Sequence, residues 1–382
     1  MLTLILAAAA ALSGPPSPLP PVELYHSISA NPTAGLLQDA AGNLYGTTQT
    51  GPLGAGNVFR LGPDGTYTSL YDFQLGGDGG YPLSDLIMDA AGNLYGTAQS
   101  GGLHNSGIMF KLAPDGTETV LHSFSGGADG AFPAAGVAMD ANGNLYGTTV
   151  DGGAACFSNT GCGTVYRITP DGVETVLHAF TCDDGCLPTA GVILDKKGNL
   201  YGTTLGWTGF DPTDGNVFEI DAHGTFKVLF TFGGLNGANP RGRLLRDKSG
   251  NLYGTTSAGG SLNCSGKGCG TVFKLSPAGS ETVLYTFAGY DGLYPQAGLI
   301  ADKAGNLYGT TQFGGPFSRG CGTVFRITPN SQETTLHSFY PNQYIDGCEP
   351  LGVLLRTKNG NLYGTTYAGG TGNTGTVFVV TP

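Results

Sequence analysis

The phrase Gly-Asn-Leu-Tyr-Gly occurs seven times in this 382-residue chain, starting at Gly42, Gly92, Gly143, Gly198, Gly250, Gly305 and Gly360. Successive copies are 50, 51, 55, 52, 55 and 55 residues apart. A near-constant period of this size belongs to repeat architectures, in which one supersecondary unit buries its faces against copies of itself. The repeat, rather than the residue, is therefore the unit to read.

The stretch from Gly298 to Phe339 serves as a specimen. Leu299-Ile300-Ala301 is an apolar run closed by Asp302-Lys303-Ala304-Gly305, and Asn306-Leu307-Tyr308-Gly309-Thr310-Thr311 follows. After a Gly-rich loop come Gly322-Thr323-Val324-Phe325-Arg326-Ile327, a Pro-Asn turn, and Glu333-Thr334-Thr335-Leu336-His337-Ser338-Phe339. Four short β-branched and aromatic runs bounded by Gly, Pro, Asn and Asp read as four strands. Away from the N-terminus no window carries a helical apolar period, so the chain is all-β. Four strands per repeat of this length make one propeller blade. We label its strands a to d from the central channel outward.

The ends of the chain fix the blade count. The last repeat stops after Gly375-Thr376-Val377-Phe378-Val379-Val380, which matches strand c. Val22-Glu23-Leu24-Tyr25-His26-Ser27-Ile28 resembles strand d, as in Glu118-Thr119-Val120-Leu121-His122-Ser123-Phe124. The sequence thus predicts a seven-bladed β-propeller of four antiparallel strands per blade, closed by the N-terminal outer strand pairing in the C-terminal blade. It occupies residues 22–382 as one domain, behind a signal peptide at 1–14 and a Pro-rich linker at 15–21. The Gly after each Tyr is expected to make room for a bulky side chain of the next sheet. Enlarging Gly202 should then cost more than enlarging Gly152, a loop glycine.

Net charge is −11, with the Lys and Arg residues scattered along the chain. This argues against a nucleic-acid footprint or an anionic membrane surface. The apolar run Leu2–Leu12 is too short to span a bilayer and reads as a secretory signal cleaved near Ser13-Gly14. All eight cysteines fall in loops. Loop positions pair them as Cys156–Cys162, Cys182–Cys186, Cys264–Cys269 and Cys321–Cys348, the last because b–c and d–a loops emerge on one face. Zinc at Cys182 and Cys186 is the rival reading, with no matching pair or His nearby. The even count fits an oxidising compartment, so a secreted or cell-surface/periplasmic location is expected. The chain is expected to be a monomer without a transmembrane segment.

Most polar positions have a structural reading. His26, His122, His178 and His337 recur at one place in strand d, and His223 lies in a c–d turn on the opposite face. Asp78, Asp129, Asp184, Asp291 and Asp346, with Asn236 in the fifth copy, recur in the d–a loop and suit turns. An acidic ring for calcium is their functional alternative, and no other cofactor is implied. His104, in a b–c loop, is the one His unmatched by the repeat on the loop-rich face and the weak candidate for catalysis. Copies differ most at Asp85, Arg241 and Arg243 near the start of strand a, and at Trp207 in an unusual b–c loop. These four are the candidate binding residues. No Gly-x-Ser-x-Gly, His-Glu-x-x-His or P-loop pattern occurs.

The recurring Gly-Asn-Leu-Tyr-Gly-Thr-Thr, joined to Gly-Thr-Val-Phe-Lys/Arg-Leu/Ile, resembles the GloVer tandem-repeat family of bacterial exported proteins. The resemblance implies export and supplies no catalytic residues. The expected function is a non-catalytic binding or scaffolding module presenting loops on one face to a glycan or protein ligand, with no nucleic acid. The alternative is an extracellular carbohydrate-active enzyme, lyase-like, using Arg243, His104 and Asp85 at the channel mouth.

Overall fold

The computed structural model describes residues 23–382, apart from 29, 155, 157–159, 182, 207–213, 262–263, 265, 317–319 and 341–345. These residues form 28 strands in seven separate four-stranded antiparallel sheets. The sixth blade, for example, runs Ile300–Ala301, Leu307–Thr311, Thr323–Ile327 and Glu333–Ser338. Blade 1 starts at Leu37–Gln38, and blade 7 ends with Thr376–Val380 paired antiparallel to Glu23–Ser27. The ring therefore closes through strands from both termini, leaving no open seam for edge pairing. Strand a pairs over only two residues in every blade. No helix among the described residues is long and apolar enough to cross a membrane.

The repeated phrase is a braced hairpin. In the first copy Gly42 has φ +91°, a conformation that costs other residues a steric penalty. The Asp39 Oδ1 atom accepts the backbone N–H groups of Ala41 and Asn43, each at 2.9 Å. Its Oδ2 accepts the Asn43 amide at 2.7 Å and the Tyr45 hydroxyl at 3.0 Å. Burial pushes the Asp39 carboxyl up, but these donors outweigh it and hold it below the usual range. The amide and hydroxyl contacts recur at Asp89, Asp140, Asp195, Asp247 and Asp302. Thr357 replaces the aspartate in blade 7.

The Gly that ends the phrase does make room for a bulky side chain, but not one from the next sheet. In all seven blades its partner across the b–c ladder is the aromatic residue of strand c, such as Phe59 opposite Gly46 and Phe273 opposite Gly254. A β-carbon at Gly254 would lie 2.6 Å from the Phe273 ring. Gly152 is not a permissive loop position either. It has φ +79°, and a β-carbon there would meet the Gly130 backbone at 2.5 Å.

The same aromatic residues bind neighbouring blades together. Phe110 meets Phe73 of the preceding blade edge-on at 5.2 Å, and Phe325 meets Phe287 at 5.1 Å. These rings are fully buried, contributing roughly 2 kcal/mol each by area. At the seam Ile28 takes the aromatic's place in the cluster around Phe59. Closer to the axis, hydroxyls bridge the blades: Thr255 donates to Ala297 O at 2.9 Å, and Thr365 to Ala34 O at 2.8 Å.

Three of the expected disulfides are formed: Cys156–Cys162, Cys264–Cys269 and Cys321–Cys348. The last joins the b–c loop of blade 6 to the lead-in of blade 7. Cys186 is buried, and its expected partner Cys182 lies outside the described residues.

Candidate functional site: the channel mouth

Each blade enters the channel through a residue followed by Pro. In blades 2 to 7 that residue is Tyr81, Phe132, Leu187, Asn239, Tyr294 or Glu349, all with φ between 52° and 59°. Left-handed backbone is strained for such side chains and persists only where the surroundings impose it. Here two hydrogen bonds do so. The Glu349 N–H donates to Cys321 O of the preceding blade at 2.9 Å, and Tyr367 N–H donates to Glu349 O at 3.0 Å. The lead-ins are thereby pinned, and the two positions that line the channel after each Pro are fixed in place.

The inner of these positions forms a waist. It is Gly35, Gly136, Gly191 and Gly298 in four blades, and Asp85, Arg243 and Val353 in blades 2, 5 and 7. The glycines let backbones meet: a β-carbon at Gly298 would stand 2.6 Å from Arg243 O, and one at Gly35 2.8 Å from Val353 O. A cavity of about 530 Å³ opens above the waist and one of about 500 Å³ below, and Asp85, Arg243 and Val353 line both.

The upper cavity holds two guanidinium groups, Arg241 and Arg243, from alternate positions on one lead-in. Among the described residues neither donates to a protein acceptor. The carboxylates that share the cavity are committed elsewhere. Asp85 Oδ1 accepts the Gly35 N–H at 2.6 Å. Glu349 Oε2 accepts the Gln312 amide at 2.9 Å, and Gln312 Oε1 in turn accepts from Gln296. Arg241 lines the cavity while remaining exposed to solvent, and desolvation at the mouth draws its pKa below the ordinary arginine value. It remains a cation at any physiological pH.

The structure thus brings Asp85, Arg241 and Arg243 together. His104 stands exposed on the b–c loop of blade 2, away from the lining of either cavity, and Trp207 lies outside the described residues. Among the described residues the upper cavity contains no His, Lys or Cys. The repeated His and Asp residues clasp one another within blades: His178 Nε2 lies 2.9 Å from Asp184, and His337 Nε2 2.9 Å from Asp346. Tyr285 donates to Asp291 at 2.6 Å in the same manner. Gln296, Gln312 and Glu349 were not singled out from sequence. Glu349 carried a signal, since it is the one charged residue among the seven that precede the lead-in Pro.

This propeller resembles solved structures of another. It superposes on virginiamycin B lyase from Staphylococcus aureus with a TM-score of 0.63 at 15% identity, over 94% of this chain and 97% of that one. A catalytically inactive variant of that lyase with quinupristin gives 0.65 at 14% identity, over 95% and 98%. At such identities the likeness shows the fold alone. No curated protein matches the sequence. The family is shown by the repeats themselves: the chain belongs to the Gloeobacter/Verrucomicrobia repeat family, whose model matches residues 22–206 and 205–382.

Proposed function

We propose that this protein is an exported, non-catalytic binding propeller that seats a glycan or protein ligand at the upper channel mouth. The observation that carries the reading is the Arg241–Arg243 pair, whose donors face the cavity without protein acceptors among the described residues. Paired guanidinium forks suit the two oxygens of a carboxylate, sulfate or phosphate. Around them Gln49, Gln296, Gln312, Thr33 and Thr189 offer groups that both donate and accept, which suits sugar hydroxyls. An acidic glycan therefore fits the mouth best. Disulfides support export, because they persist in oxidising compartments.

The lyase-like alternative loses its one histidine, because His104 does not reach the cavity. A glycan array followed by mass analysis of the bound sugar separates the two readings. Retention of acidic glycans unchanged in mass supports binding, and release of shortened or unsaturated products supports the enzyme. Arrays on which Arg243→Ala binds like the parent would remove the mouth from consideration.

A further inference from the structure

The a–b hairpins and c–d turns share the face opposite the mouth, as the approach of Gly250 to Pro277 shows. Repeat-equivalent positions on this face differ by sector. The hairpins of blades 1 to 3 read Asp39-Ala40-Ala41, Asp89-Ala90-Ala91 and Asp140-Ala141-Asn142. Their c–d turns add Asp64, Asp115 and Asp171, giving six carboxylates and no cation at these positions. In blades 5 to 7 the same hairpins carry Arg246, Lys248, Lys303, Arg356 and Lys358 against Asp247 and Asp302. Thr357 replaces the hairpin aspartate there, and the c–d turns have Ala278 and Asn330 where blades 2 and 3 have Asp115 and Asp171. Three kinds of substitution thus shift one sector from −6 to +3 (five cations less two carboxylates) in a chain of net charge −11. The strand-c cations Arg60, Lys111, Arg167, Lys274 and Arg326 occur in both sectors and do not produce the contrast.

The basic sector encloses a cavity of about 780 Å³ lined by Arg246, Lys248, Lys303 and Arg356, with Asp247 and Asp302. Both carboxylates are saturated by their hairpins, each accepting two backbone N–H groups, an Asn amide and a Tyr hydroxyl. Arg246 is drawn towards blade 4 by Asp195 at 3.5 Å and lies over the Tyr201 ring. Lys248, Lys303 and Arg356 have no hydrogen-bond or ion-pair acceptor among the described residues.

From this arrangement we infer a second binding site, on blades 5 to 7 of this face, for an anionic polysaccharide. The neighbouring acidic sector decides against other polyanions. A duplex is a stiff rod of dense charge, and an anionic membrane is a flat sheet; either would be pressed against the six carboxylates of blades 1 to 3. A flexible chain with one charge per sugar can follow the basic sector and leave it. Nor do the described residues offer a stacking platform for bases: Tyr253, the one aromatic among them in the lining, holds its hydroxyl on Asp247. The site is independent of the channel-mouth reading.

The test uses the full chain carrying Arg241→Ala and Arg243→Ala, so that the mouth contributes nothing. Immobilised polygalacturonate and dextran sulfate are the two anionic arms, and neutral dextran, poly-L-glutamate and duplex DNA are the comparators. The proposal expects saturable binding to at least one anionic polysaccharide, weakened by salt and reduced about tenfold by Lys248→Ala with Lys303→Ala. Lys111→Ala, in blade 2, should leave that affinity unchanged. Four results would overturn it: no binding to either anionic polysaccharide, equal binding to neutral dextran, an equal loss from Lys111→Ala, or tighter capture of polyglutamate or DNA.

Discussion

Phe325 lies directly across the ladder from Gly309, with its ring tip 2.6 Å from where a β-carbon of residue 309 would stand. That contact requires glycine at the end of the repeated phrase. Gly309→Ala should cost roughly 1–3 kcal/mol through overpacking. Gly233→Ala, at a site open to solvent with ordinary backbone, should change stability by less than about 0.5 kcal/mol. Chemical denaturation of both variants checks the contrast, and equal midpoints would remove the packing role.

Acid should weaken the His–Asp clasps. Burial raises the Asp184 carboxyl, but the His178 hydrogen bond and the Thr181 N–H outweigh it and leave the pKa lowered. A folded pKa below the unfolded one contributes stability above the unfolded value, near 4, and loses it as pH falls through the folded value. Asp184→Asn should therefore cost about 1 kcal/mol at pH 7, and the gap should close in acid. A gap that persists or widens in acid would contradict the assignment.

Three carboxyls behave in the opposite sense. Burial, aided by Asp78 and Asp129 of the preceding blades, pushes Glu118 and Glu174 up to about 7. Burial does the same to Glu333, against a Thr335 hydrogen bond and with Asp291 adding to it, also to about 7. A raised folded pKa contributes stability below the unfolded value, near 4.3, and that contribution is lost as pH rises through the folded value. The triple Glu→Gln variant should exceed the parent at pH 8 by about 1 kcal/mol per site after solvent screening, with the gap narrowing towards pH 4.5. Melting curves across this window decide it.

The Cys321–Cys348 bond spans 27 residues and joins two blades, whereas Cys264–Cys269 spans 5 within one loop. Chain entropy makes the longer closure worth more, about 3.5 kcal/mol against about 2. Replacing both cysteines of each pair by Ser and comparing denaturation midpoints tests the order.

Much of this fold was legible because the phrase repeats the same local chemistry. Asp39, Gly42, Asn43 and Tyr45 act within one hairpin, so their roles follow from spacing. The closing strand and three disulfides followed from matching the two chain ends and the loops. What failed needed a third dimension. Gly309 was assigned to the wrong sheet, because spacing gives the need for room but not the side chain that takes it. Lys248, Lys303 and Arg356 look scattered in sequence, yet a period of about 55 residues sets them on adjacent blades. Glu349 stands out in sequence as the one charged residue before a lead-in Pro, but only the closed ring places it at the mouth.

The central claim is that Arg241 and Arg243 seat an acidic ligand group at the channel mouth. The direct measurement is calorimetric titration of the intact protein with a short oligogalacturonate, beside the Arg241→Ala/Arg243→Ala variant. The account predicts a binding component in the parent that is about tenfold or more weaker in the variant, with the melting temperature unchanged and the sugar recovered intact. Equal affinity in the two proteins, or recovery of cleaved sugar, would contradict it.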